Sequence, residues 1–135
     1  MQEIKLSDYQ RPFFWIKTID LDIDLFENET FVTSILRVEK NTEFSGPQSF
    51  DLDGIELEIV DFKIDGKDFT DYTYSDNKLN FNPTSDNFEM VTKVKIHPEK
   101  NFTLDGLYKS GSIFCSQCEA EGFRRITFYQ DRPDV

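Results

Sequence analysis

Gln117 and Glu119 are the residues with the most direct chemical potential in this sequence. They stand two positions apart, so an extended backbone would point both side chains the same way. A carboxylate beside an amide can hold an ammonium group, with charge-assisted hydrogen bonds at the carboxylate. An α-amino group, with a pKa of about 8, is mostly protonated at neutral pH and is a natural guest. Glu121 would share that face only if the extension continued, and Gly122 is a place for it to break. By spacing alone, ordinary surface acids are the commoner alternative.

Other constellations are weaker. Asp20, Asp22 and Asp24 resemble the start of a calcium loop, but Leu25 and Phe31 stand where such a loop needs a Gly and a Glu. A solvated strand face is the expectation. Cys115 and Cys118 have zinc-ligand spacing, but a structural zinc needs four ligands and no second Cys or His pair exists. Packed, inert thiols are expected, with a labile redox pair as the alternative. His97 is the only histidine and reads as structural, since no nucleophile elbow supports a triad. Asn-x-Thr matches at Asn28 and Asn101 read as chance, because the first ten residues carry no export signal.

The elements that must position these groups follow a period of two. Ile19, Leu21, Ile23 and Leu25 alternate with the three aspartates, which predicts a strand with one buried and one solvated face. A turn at Asn28–Glu29 and a β-branched return over Thr30–Val38 complete a hairpin. Asn41–Pro47 is a loop by composition, and Gln48–Leu52 a short strand. Ile55, Leu57 and Ile59 alternate, as do Phe62 and Ile64; Asp65-Gly66 is a turn with Lys67–Tyr72 as its returning arm. After a turn at Tyr74–Asn77, Lys78–Phe81 is a short strand broken at Pro83. Phe88–His97 is a longer strand that Pro98 ends. The segment from Gly106 to Gly122 shows no clear apolar alternation and reads as irregular.

No segment has a helical period, and the expectation is an all-β, antiparallel β-sandwich in a single domain over residues 1–135. The 135 residues suit one domain with its own core. Twenty aromatic residues argue against disorder. A net charge of -11 excludes a nucleic-acid binder and disfavours anionic membranes. No apolar run approaches the ~18 residues of a membrane span, and two cysteines without an export signal fit a reducing cytoplasm.

Three runs carry a resemblance: Gly106-Leu-Tyr-Lys-Ser-Gly111, Cys115-Ser-Gln-Cys-Glu-Ala-Glu-Gly-Phe-Arg124 and Tyr129-Gln-Asp-Arg-Pro-Asp-Val135. Together with Tyr9–Leu25, they resemble the N-terminal domain of bacterial aminopeptidase N, the alanyl aminopeptidase branch of the zinc metallopeptidases. The resemblance implies a saddle-like β-sandwich that packs on a downstream catalytic domain of the same chain. It implies that Glu119 pairs with the α-ammonium of a peptide N-terminus and that Gln117 lines the pocket for the first side chain. It carries no role onto Glu121. The motif H-E-x-x-H and the Gly-Ala-Met-Glu-Asn motif are absent. The resemblance therefore implies a C-terminally truncated domain, inactive alone, whose zinc is bound by the missing catalytic domain and not by this chain. Self-association through an exposed sheet edge is expected of such a fragment. The rival readings are a free-standing module that binds protein or carbohydrate, and a small thiol protein.

Overall fold

The computed structural model describes residues 3–135. Its strands are β1 (Phe14–Leu25), β2 (Thr30–Lys40), β3 (Phe50–Asp53), β4 (Glu58–Ile64), β5 (Lys67–Asp68), β6 (Thr73–Ser75), β7 (Lys78–Phe81), β8 (Asn87–Ile96), β9 (Gly106–Ser110) and β10 (Ile113–Gln117). They form a five-stranded sheet in the order β1-β2-β8-β4-β5, a three-stranded sheet β3-β7-β6 and the hairpin β9-β10, with antiparallel pairing throughout. The all-β expectation holds. Among the described residues the only helical turns are short 3-10 segments.

Alternation places one row of each strand inside. Val32, Leu36 and Val38 of β2 and Phe88, Met90, Val94 and Ile96 of β8 are buried on one face. The register sets Val32 against Val94 and Leu36 against Met90, the cross-strand pairing that stabilises a sheet. The smaller sheet answers with Phe50 and Leu52 from β3 and Leu79 and Phe81 from β7, all in the same core. Phe50 is the hub: its ring meets Phe14, Phe81 and Phe88 edge-on at 5.4–5.6 Å, a favoured aromatic geometry.

Turn chemistry matches the sequence at Asp65-Gly66, and the turn expected over Tyr74–Asn77 narrows to Asp76-Asn77 because Tyr74 and Ser75 pair in β6. Asp65-Gly66 and Asp76-Asn77 each have two successive positive φ angles, the pattern of the tight turn that suits the twist of a hairpin.

Three expectations need correction. The β5 arm pairs only at Lys67 and Asp68; after that the chain departs to pack Phe69 and Tyr72 against Phe62. The segment from Gly106 is not irregular at its start, because Gly106–Ser110 and Ile113–Gln117 pair as a hairpin around Gly111. Its backbone pairing overrides a sequence with no alternation. Finally, the apolar row of β1 is covered only at its start: Ile19 packs partly buried against the core, whereas Leu21, Ile23 and Leu25 face the core side yet remain exposed at the sheet edge.

The C-terminal residues strap the layers together. Ile126 and Phe128 enter the core, and Tyr129 exchanges two backbone hydrogen bonds with Asp53.

Candidate functional site

The β9-β10 hairpin carries the candidate residues at its open end. Gln117 is the last residue of β10 and pairs with Gly106, the first of β9. The chain then leaves the strand and turns through Cys118–Gly122, a turn closed by the Gly122 N–H donating to the Cys118 carbonyl at 2.8 Å. The Glu119–Ala120 peptide is cis. A 3-10 turn over Phe123–Arg125 follows. The turn sits tightly on the hairpin: a Cβ on Gly122 would lie 2.3 Å from the Gln117 carbonyl oxygen and 2.9 Å from the Gly106 nitrogen. Gly122 is therefore required by close backbone approach rather than by its torsions, which are ordinary right-handed ones.

Gln117 and Glu119 are both exposed, and the structure brings them together by a different route from the one the spacing suggests. Extension ends at Gln117, and its Nε2 donates to the Glu119 backbone carbonyl at 3.2 Å. That bond uses an amide hydrogen and leaves the Gln117 Oε1 able to accept. Among the described residues no hydrogen bond or ion pair engages the Glu119 carboxylate. Glu121 differs: its Oε1 lies 3.6 Å from the Arg124 guanidinium. Two acids of one turn thus differ: Glu121 has a weak, solvent-exposed ion pair and Glu119 has none.

Arg124 anchors this end of the molecule. Its side chain is 17% exposed. Its Nε donates to Asp131 Oδ2 at 3.0 Å and its Nη2 to the Asp131 carbonyl at 2.9 Å. Asp53, buried, lies 3.7 Å from the guanidinium and also pairs with Lys78. Burial opposes the Arg124 charge, but the Asp131 hydrogen bond and the Asp53, Glu121 and Asp131 carboxylates outweigh it and hold the group above its ordinary pKa. The spacing argument missed Arg124, Asp53 and Asp131. The Glu121–Arg124 separation of three was the one local signal available for them.

Chemically, the turn presents an exposed carboxylate, that of Glu119, next to the exposed Gln117 amide. Such a pair suits a cationic donor such as an ammonium group. It is an open rim rather than a pocket. A cavity of about 310 Å³ lies beside Phe69, Phe81 and Phe88, and one of about 240 Å³ beside Arg11 and Gln130; neither is lined by Gln117 or Glu119.

The remaining candidates are not brought into this site. Asp20, Asp22 and Asp24 lie on one exposed face of β1. His97 Nδ1 is 2.9 Å from Glu99 Oε1 and 3.1 Å from the Asn28 carbonyl, a contact that ties the β1-β2 turn to the end of β8. Cys115 and Cys118 are both free thiols. Burial and the Asp131 carboxylate push the Cys118 thiol above its ordinary pKa, opposite to the shift of a reactive thiol. Among the described residues no three His, Cys, Asp or Glu side chains converge as metal ligands. No helix there is long and apolar enough to cross a membrane.

Comparison with known proteins gives a consistent picture. No family model matches the sequence. Aminopeptidase N of Caulobacter vibrioides is 42% identical over 99% of this chain, and that of Haemophilus influenzae 39% over 96%. Aminopeptidase N of Escherichia coli is 37% identical over 95% of it. The chain spans only 14–16% of the length of these relatives. Among solved structures, Legionella pneumophila aminopeptidase A in complex with aspartic acid superposes with a TM-score of 0.88 at 26% identity, over 97% of this chain and 16% of that one. An M1 zinc metallopeptidase from Deinococcus radiodurans shares the fold, with a TM-score of 0.69 at 15% identity over 89% of this chain and 29% of that one.

Proposed function

We infer function from one premise: the chain belongs to the aminopeptidase N family, whose N-terminal all-β domain it forms. In this reading, residues 1–135 work as one β-domain that recognises the substrate amine of a cytoplasmic zinc aminopeptidase. The parent enzyme releases N-terminal residues from peptides. Glu119 accepts the α-ammonium of the peptide, and Gln117 lines the pocket for the first side chain. The observation that carries the reading is the Glu119 carboxylate, left without a partner beside Gln117 while Glu121 is held by Arg124.

The physical logic is that of an exopeptidase. A carboxylate that pairs with the terminal ammonium fixes which peptide bond reaches the reacting centre, so its effect falls on positioning as well as on binding. The catalytic groups belong to the rest of the polypeptide in this reading. Zinc bound there would supply an activated water. The residues of this chain do not fit a zinc site, because no ligand group converges among those described. An open rim suits a half-site that a second surface completes.

The test is Glu119→Gln in the full-length enzyme, assayed on a free-amine peptide. Loss of one partner of a charge pair costs about 2–5 kcal/mol, so kcat/KM should fall by about 30- to 5,000-fold. Wild-type kcat/KM in the variant would remove the ammonium role from Glu119.

A further inference from the structure

The turn that carries Glu119 is anchored at both ends. At its start, Gln117 pairs with Gly106 in the hairpin. At its far end stands Arg124, and only six residues, 118–123, lie between the two anchors. The far anchor uses backbone and side chain together. The Arg124 backbone N–H and Nε both donate to Asp131 Oδ2, at 3.2 and 3.0 Å, and Nη2 donates to the Asp131 carbonyl at 2.9 Å. The Arg124 carbonyl accepts from the Ile55 N–H at 2.8 Å. Asp131 is held in turn: its N–H donates to Asp53 Oδ2 at 3.1 Å, and Asp53, the last residue of β3, exchanges backbone bonds with Tyr129. The side chains of Arg124, Asp131 and Asp53 are 17%, 11% and 8% exposed, and hydrogen bonds between charged groups so shielded are stronger than in water.

We propose that Arg124 is a positioning residue for the amine site: through Asp131 and Asp53 it fixes the end of the turn to β3, and so sets where the Glu119 carboxylate stands. Among the described residues Arg124 forms no hydrogen bond or ion pair with Glu119, so it acts through the backbone between them. The planar guanidinium is essential to this role. Its fork fixes direction as well as distance at Asp131, whereas a lysine ammonium keeps the charge but fixes distance alone. The role rests on the reading that Glu119 takes the ammonium, and it adds the residue that places that carboxylate.

A double-mutant cycle in the full-length enzyme tests it, with Arg124→Lys, Glu119→Gln and the two combined, assayed on a free-amine peptide. Thermal unfolding first shows which variants are folded at the assay temperature. Arg124→Lys should lower kcat/KM by at least about 10-fold when Glu119 is present. It should lower it by less than about 2-fold once Glu119→Gln has removed the carboxylate. A role confined to stability would lower kcat/KM by the same factor in both backgrounds, and that equality would overturn the proposal. So would wild-type kcat/KM in Arg124→Lys. Should Arg124→Lys not fold, Asp131→Asn breaks the same clamp from its other side and is judged by the same comparison. The Glu119→Gln single variant separates the two failures: if its kcat/KM is wild-type, the ammonium reading falls and the positioning role falls with it; if its kcat/KM is lowered, additivity refutes the positioning role alone.

Discussion

Replacing Gly122 with alanine tests whether the turn that carries Glu119 is held by close packing. The new Cβ would lie 2.3 Å from the Gln117 carbonyl oxygen and 3.1 Å from the Cys118 Cα, where ordinary contact begins at 3.4 Å. All of the obstructing atoms are backbone, so no side chain can swing aside. The torsions of Gly122 suit any residue, which leaves sterics as the sole cause. The turn must open by about 1 Å, and the 2.8 Å bond from Gly122 to Cys118 is the first to be lost. Overpacking of this kind costs about 1–3 kcal/mol, a fall in Tm of about 3–10 °C for a domain of this size. In the full-length enzyme a 1 Å displacement of Glu119 should lower kcat/KM by about 10²-fold. Thermal unfolding and steady-state kinetics on a free-amine peptide read the two effects separately. A variant with wild-type Tm and wild-type kcat/KM refutes the packing argument. A lower Tm with unchanged kcat/KM refutes the link between the turn and substrate positioning.

Three further outcomes are expected. Arg124→Ala leaves Asp53 and Asp131 without their shared cation, which should cost about 3 kcal/mol and about 10 °C in Tm; a change under about 2 °C would mean that Lys78 and water suffice. Phe50→Ala removes the ring that three other phenylalanines meet and should cost about 3–5 kcal/mol in urea unfolding, so a midpoint shift worth less than about 1 kcal/mol would contradict its place at the centre of the core. The raised Cys118 pKa means less thiolate at any given pH, so iodoacetamide should label it more slowly in the folded chain than in the unfolded chain near pH 8. Faster labelling in the folded chain would reverse the sign and revive the redox reading.

The fold was legible where one face of a strand is buried by its neighbours. In β8 the alternate residues Phe88, Met90, Thr92, Val94 and Ile96 are all buried, because the side-chain period of a strand is two. It misled in β1, whose Leu21, Ile23 and Leu25 have the same pattern but no covering layer; the pattern records which face is suited to burial, not whether anything buries it. The β9-β10 hairpin was illegible for the opposite reason. Its side chains do not alternate, and it is specified by backbone pairing, by Gly106 and Gly111 at positive φ and by a turn packed on its base. Gln117 and Glu119 could be named from residue type and spacing, but the network of Asp53, Lys78, Arg124 and Asp131 spans residues far apart in sequence, and no local pattern encodes it.

In the proposed reading, that network leaves the Glu119 carboxylate available for a cation. With a net charge of -11, free carboxylates are abundant on the surface, and a free acid alone specifies nothing. Asp20, Asp22 and Asp24 on β1 are uncompensated too, and Glu119 differs from them in standing on a turn next to Gln117 and the Arg124 network. Gly122 holds the turn against the hairpin, Gln117 ties its amide to the Glu119 carbonyl, and Arg124 takes up Glu121, Asp131 and Asp53. Each contact fixes the backbone near Glu119 or occupies a competing acid, and none engages the Glu119 carboxylate itself. With the backbone of the turn already fixed, only the Glu119 side-chain rotamers remain to be ordered when a ligand arrives, a smaller cost than ordering the turn as well.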